Sequence, residues 1–226
     1  MRKHPQTSRA GSLLVAAGLL ALSACASSSA AGFSAPMDDF TLRAKVLTFG
    51  LHVTPDPADN PIDPPERFAG YHVATDVEVG ADELNKEVNV YAICTGDVIY
   101  SGFAAGYGGL VVQHCRVSIQ GVQDITVIYG HLSLLNLPGH GVTMKSGDLV
   151  TTLAPARTYE SDGNRKHLHL GIHKGTAIDM RGYVQTKEEI NDYIDPMSVL
   201  PSGGPGLLQS LIEPYWKNAG SGSTAS

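Results

Sequence analysis

Three short stretches hold residues able to do chemistry. In His72-Val73-Ala74-Thr75-Asp76 an imidazole and a carboxylate stand four residues apart. Both can reach one metal ion if the chain between them is extended or turned, and these donor types suit Zn²⁺. In His167-Leu168-His169-Leu170-Gly171-Ile172, strand alternation puts His167, His169 and Gly171 on one face and the two Leu and Ile172 on the other. The apolar face supplies burial, while the other presents two parallel imidazoles with Gly171 leaving space beside them. The third stretch, Tyr129-Gly130-His131-Leu132-Ser133, ends the run ITVIY and places His131 just past a strand end, at the rim of a sheet. One Asp and two His make a three-ligand zinc site with an open position for water, as catalytic zinc requires. Two further His then remain for proton handling. Taken singly, each stretch also has a plainer reading: a surface pair, two solvent-facing imidazoles, a structural His.

The elements that must position these groups read as short strands. From Tyr71 onward the runs VNVYAI, DVIYSG, LVVQHC and ITVIYGHL are rich in Val, Ile and Tyr and are punctuated by Gly, Asp and Asn. Residues 40–51 alternate loosely and predict a first strand, residues 54–67 are a Pro-rich loop, and residues 187–193 predict a short helix. Between Cys94 and Cys115 lies TGDVIYSGFAAGYGGLVVQH, a strand, a Gly-rich turn and a strand. Folding it at Ala104–Ala105, the midpoint, sets the two Cys opposite each other, which predicts a disulfide. It would close a loop of about 20 residues and contribute on the order of 3 kcal/mol in the chain-entropy model. The pattern is antiparallel all-β, in one domain of about 150 residues.

Composition narrows the function classes. The chain has 226 residues, a net charge of −6, 42% hydrophobic and 17% charged residues, enough for a packed core. The acidic balance argues against nucleic acid as a partner, since that needs clustered Lys and Arg. No His-Glu-x-x-His helix and no Gly-x-Ser-x-Gly elbow occur, which excludes a thermolysin-like site and argues against a serine hydrolase.

The N-terminus reads as an address. Arg2, Lys3 and Arg9 precede the apolar residues 13–22, too short a run to span a bilayer. Leu22-Ser23-Ala24-Cys25 resembles a bacterial lipobox, with Cys25 the lipidated residue. The expected organisation is a lipoprotein signal peptide over 1–24, a flexible tether over 25–39, the folded domain over 40–200 and a tail over 201–226. Ala26 after the lipidated Cys, by resemblance to Gram-negative lipoproteins, implies a lipid anchor in the outer membrane, facing the periplasm.

The order His-x-x-x-Asp, a GYGG hairpin turn at 106–109, Tyr-Gly-His and His-Leu-His resembles the lysostaphin/LytM-type zinc metallopeptidases. CTGDVIYSG, LVVQH, SGDLV and YIDPMSVL extend the resemblance over roughly residues 65–200. It implies an antiparallel fold of two sheets forming a groove floored by one Zn²⁺. His72, Asp76 and His169 would hold the ion, and His131 and His167 would stand beside its open position as catalytic groups. Tyr107 in the turn is a candidate to line the substrate groove. The implied substrate is a peptide bond of peptidoglycan. The competing reading is a non-catalytic regulator that binds the wall and activates a separate amidase, but such degenerate members lose zinc ligands and this chain has all three. Two departures stand out: Ala74 where the family has Gly, and APARTYESDGNRK (154–166) where it has a Gly/Thr/Ser-rich approach to His-Leu-His. Among the remaining candidates, Arg67 precedes the first motif, His114 suits a surface or structural role, and His173 could flank the groove. His52 and His140 read as loop residues, and Asn60 or Asp63 as caps on the ion in a latent form.

Overall fold

A computed structural model describes residues 1, 32–65 and 67–201. The signal peptide expected after Met1, the lipidation expected at Cys25 and the tail expected beyond residue 201 lie outside the described residues. Among the described residues, eleven strands follow in chain order: β1 (His52–Val53), β2 (Gly70–His72), β3 (Ala74–Glu78), β4 (Asn89–Tyr91), β5 (Gly96–Ala104), β6 (Gly108–Ile119), β7 (Val122–Leu132), β8 (Thr143–Met144), β9 (Leu149–Thr152), β10 (His167–Lys174) and β11 (Tyr183–Val184). Every named pair is antiparallel. Six strands form the main sheet in the order β3-β10-β7-β6-β5-β8, flanked by small sheets β1-β2-β11 and β4-β9. Among the described residues, no helix is long and apolar enough to cross a membrane.

Alternation splits the main sheet into two faces. Leu168, Leu170 and Ile172 of β10 join Val77, Val111, Val127 and Tyr129 in the main core. Tyr129 is fully buried, and its hydroxyl is satisfied on both sides: it accepts from Ile93 N at 2.8 Å and donates to Gln113 Oε1 at 3.0 Å. The opposite face belongs to the groove.

The β5–β6 hairpin forms as expected, but it turns at residues 105–107 rather than at Ala104–Ala105, and Cys115 stands opposite Gly96 rather than Cys94. Gly96 pairs with Cys115 and Ala104 with Gly108, and the Cys94–Cys115 disulfide is present with a Cα–Cα distance of 6.2 Å. The turn needs its glycines: Gly108 has φ +71°, and a Cβ there would lie 1.9 Å from the Glu160 carbonyl oxygen.

Four expectations change. Residues 40–51 are not a strand: Phe40–Leu42 is a 3₁₀ turn, and the chain then follows the outer edge of β3, with Asp76 N donating to Leu47 O and Glu78 N to Ala44 O. The buried Leu47 anchors this irregular edge, which covers the strand bearing Asp76. Phe33 and Met37, assigned to the tether, are buried in the main core, so ordered packing starts before residue 40. His52 lies on β1 rather than in a loop, its ring edge-on to Tyr71. The helix expected over 187–193 is a 3₁₀ turn, Glu189–Asp192.

Candidate active site

The site is built where β2 hands the chain to β3. His72 ends β2 in the small sheet and pairs with Tyr183, whereas Asp76 lies within β3 of the main sheet. The four-residue spacing therefore crosses from one sheet to the other, and both side chains meet in the angle between them. In the main sheet, β3 and β10 pair with His169 directly opposite Asp76. Directly opposite residues share a face, so the register itself brings carboxylate and imidazole together.

The resulting triangle is regular. His72 Nε2 lies 3.4 Å from Asp76 Oδ1 and 3.3 Å from His169 Nδ1, and His169 Nδ1 lies 3.2 Å from Asp76 Oδ1. Tetrahedral zinc with bonds of about 2.0–2.2 Å has ligand–ligand edges of roughly 3.3–3.6 Å. All three residues are buried, and Asp76 Oδ1 has no hydrogen-bond partner among the described residues. A buried, unpaired carboxylate oxygen inside a ring of imidazole nitrogens is what a cation would satisfy. The residues present thus fit a single zinc ion.

Electrostatics keep these groups in ligating form. Burial holds the His72 imidazole down to about 3, against the opposing pull of Asp76, so it stays neutral. Burial would raise the Asp76 carboxyl, but His167, His72 and Arg165 together hold it well below the usual carboxylate range. Neutral imidazole and ionised carboxylate are the forms that bind metal.

Beside the triangle stand the other two imidazoles. His167 and His169 share a face, as alternation predicts. His167 Nε2 lies 3.1 Å from Asp76 Oδ2, and its Nδ1 is 3.0 Å from the Arg165 carbonyl. His131 reaches the site by a different route. It does not lie past the strand end but inside β7, between the pairs Gly130↔Leu110 and Leu132↔Gly109, where β7 carries one extra residue. Its φ is +62°. This β-bulge turns the imidazole off the core face and onto the groove face, with its ring centroid 4.4 Å from that of His167. Burial pushes the His131 imidazole well below its ordinary value.

Tyr107 is buried beneath the groove and presents its ring to His169, centroids 5.1 Å apart. Gly130 makes room for it, since a Cβ there would meet the Tyr107 ring at 2.5 Å. A pocket of about 240 Å³ opens over the site, lined by Phe68, Tyr107, Met180, Gly182 and Tyr183 together with Asp76, His131, His167 and His169.

Other candidates sit elsewhere. Asn60 is committed to its own loop, donating to Thr54 O and accepting from Ile62 N, and Asp63 lines a separate cavity, so neither caps the triangle. His173 faces Asp179 at 3.8 Å and the Tyr193 ring, not the groove. His114 pairs with Asp124 at 2.8 Å, and Arg67 pairs with Asp162.

The segment 154–166 contributes more than its sequence suggests. Asp162 Oδ2 accepts from Gly106 N at 2.8 Å, and Asn164 Nδ2 donates to Gly106 O at 3.2 Å, pinning the turn that carries Tyr107. Arg165 Nη2 donates to Asp76 Oδ2 at 2.7 Å and to Glu78 Oε1 at 2.8 Å. Sequence reasoning missed Arg165. Extending the alternation of His169 and His167 back by two residues would have placed it on the same face.

The profile of Peptidase family M23 matches residues 71–180. Among solved structures, the catalytic domain of the antimicrobial peptidase lysostaphin from Staphylococcus simulans aligns at 20% identity and TM-score 0.48, covering 74% of this chain and 96% of that one. Csd3 from Helicobacter pylori aligns at 18% identity and TM-score 0.45, covering 84% of this chain and 41% of that one. A zinc-containing peptidase from Vibrio cholerae aligns at 20% identity and TM-score 0.42, covering 62% of this chain and 36% of that one. No curated protein sequence matches the chain.

Proposed function

Because the chain belongs to Peptidase family M23, we propose that it is a zinc-dependent endopeptidase hydrolysing peptide bonds of bacterial cell-wall peptidoglycan. The observation that carries the proposal is the triangle of His72 Nε2, Asp76 Oδ1 and His169 Nδ1, with edges of 3.2 to 3.4 Å. Those three residues would hold the ion. Bound zinc would supply Lewis acidity, lowering the pKa of a water to roughly 7 and polarising a carbonyl.

The chain's own residues do the rest. His131, which stands beside the ligands without being one of them, its ring centroid 4.4 Å from that of His167, is the base that takes a proton from the attacking water and returns it to the leaving amine. His167, its Nδ1 held on the Arg165 carbonyl, turns its Nε2 to the site, where it would exchange its contact with Asp76 Oδ2 for the substrate oxygen on which charge develops, leaving Oδ2 to Arg165. Phe68, Met180 and Tyr183 wall the groove, holding an extended peptide over the site and excluding water from it.

The cellular setting belongs to the same proposal. Cys25 would be lipidated and tether the domain to the outer membrane, facing the periplasm. The Cys94–Cys115 disulfide supports an oxidising compartment. The decisive experiment digests purified peptidoglycan with protein carrying one zinc per chain and identifies the fragments by mass. New amino termini are expected, and their identity names the bond cut. If zinc-loaded protein releases none from any peptidoglycan type, the enzyme reading fails. A regulator that binds the wall and activates an amidase then takes its place.

A further inference from the structure

Asp76 offers two oxygens in different situations. Oδ1 points into the triangle and has no hydrogen-bond partner among the described residues. Oδ2 is held from the other side, by Arg165 Nη2 at 2.7 Å and by His167 Nε2 at 3.1 Å. The guanidinium is itself braced. Its Nε lies 3.2 Å from both carboxylate oxygens of Glu78, and its Nη2 lies 2.8 Å from Oε1. Glu78 is two residues beyond Asp76 on β3, on the same face, directly opposite His167 in the register. One planar fork thus clamps two neighbouring carboxylates of the strand that carries the ligand. Lys could not reproduce this, having a single point charge on a flexible stem.

We propose that Arg165 is a positioning residue for the metal site: it occupies Asp76 Oδ2, so that the carboxylate presents Oδ1 alone and binds zinc through one oxygen. A carboxylate free at both oxygens can rotate or chelate, which raises the coordination number and uses up the vertex needed for water. The guanidinium closes that alternative. It also offsets the negative charge of Glu78 next to the site, leaving Asp76 as the ionised group aimed at the metal. Arg165 comes from the segment 154–166, where the chain departs from the Gly/Thr/Ser-rich pattern of its family. The departure therefore brings its own support for the ligand.

The inference rests on the zinc reading, and one set of measurements separates the two. Zinc affinity is measured by chelator competition for wild type, Arg165→Ala, Arg165→Lys and Glu78→Gln, each checked for folding by circular dichroism without metal. Losing an outer-shell partner typically costs 10–100-fold in metal affinity. Arg165→Ala should lose about that factor, Glu78→Gln less, and Arg165→Lys should recover part of the loss. Cobalt replacing zinc gives a second readout independent of turnover. Wild type should show the intense visible absorption of four-coordinate cobalt, and Arg165→Ala the weaker bands of higher coordination. If folded Arg165→Ala binds zinc as tightly as wild type and keeps the cobalt spectrum, the positioning role is overturned while the zinc site stands. If wild type itself takes up no metal, both readings fall. If Arg165→Ala is unfolded without metal, Arg165→Lys and Glu78→Gln decide by the same two readouts.

Discussion

The two sides of the site are built in opposite ways. On the β3–β10 side the ladder is regular: His169 faces Asp76, His167 faces Glu78 and Gly171 faces Ala74, and plain alternation aims every functional side chain. At the end of β7 the ladder is broken, because His131 is an extra residue at φ +62° and reaches the groove only because the alternation fails there. Metal ligands need fixed mutual distances near 3.3 Å, and a regular register supplies them without backbone strain. A proton-handling imidazole must instead stand next to the ligands without joining them. The groove-face position of β7 beside His169 is already taken by Gly130, kept bare for the Tyr107 ring. The bulge adds a residue exactly where the regular lattice has no vacancy, at the cost of a sparsely populated conformation.

The strongest way to break this comparison is to remove one group from each side. His169→Ala removes a ligand on the regular side. We expect zinc to be lost from the purified protein and hydrolysis to fall to background, read by metal analysis and release of amino termini. His131→Ala removes the group on the bulge. It should keep one zinc per chain, while the hydrolysis rate falls by about 10²–10⁴-fold, the usual contribution of a general acid–base group. If His131→Ala also loses its zinc, the division between a ligand side and a proton side is wrong.

That division also explains what could be read in advance. The fold class, the hairpin with its disulfide and the shared face of His167 and His169 were legible because they rest on a period of two and on a Gly-rich turn. The meeting of His72 and Asp76 needed more: nothing in a spacing of four says that the chain changes sheets between them. His131 was misplaced to a strand end because a bulge leaves no periodic trace, and its left-handed conformation is set by what packs around it. Residues 40–51 alternate like a strand, yet they follow an edge with only scattered hydrogen bonds, since Phe40 and Leu47 turn inward individually. Arg165 was missed because its neighbours in sequence, Asn164 and Lys166, look like an ordinary polar loop.

Acid should act on both sides in the same sense, which sharpens the comparison. Burial lowers the His72 imidazole to about 3 and pushes His131 well below its ordinary value, by the same cause. An unfolded imidazole titrates near 6.5. Below that pH the unfolded chain binds protons that the folded, metal-free protein refuses, so stability falls as pH falls from about 6.5 toward 3. Urea unfolding of metal-free protein should give a lower midpoint at about pH 5 than at about pH 7.5, and His131→Ala should reduce the difference. Equal midpoints would mean that water reaches these imidazoles in the metal-free protein and that neither side is as closed as the packing indicates.

The finest test addresses the bulge alone. A residue other than Gly in the left-handed region costs roughly 1–2 kcal/mol, and the extra unfolded-state freedom of Gly offsets about 0.4–1 kcal/mol of the relief. Both His131→Gly and His131→Ala remove the imidazole and its packing, so their difference isolates the backbone. Gly should therefore be the more stable of the two by about 0.5–1 kcal/mol in urea unfolding of metal-free protein near neutral pH, where the protonation of the remaining imidazoles contributes equally to both variants. If Ala is equally stable, residue 131 is not held at positive φ once its side chain is gone. The imidazole would then be stabilising the bulge through its contacts in the groove, and the irregular backbone of β7 would be a consequence of His131 rather than the means of its placement.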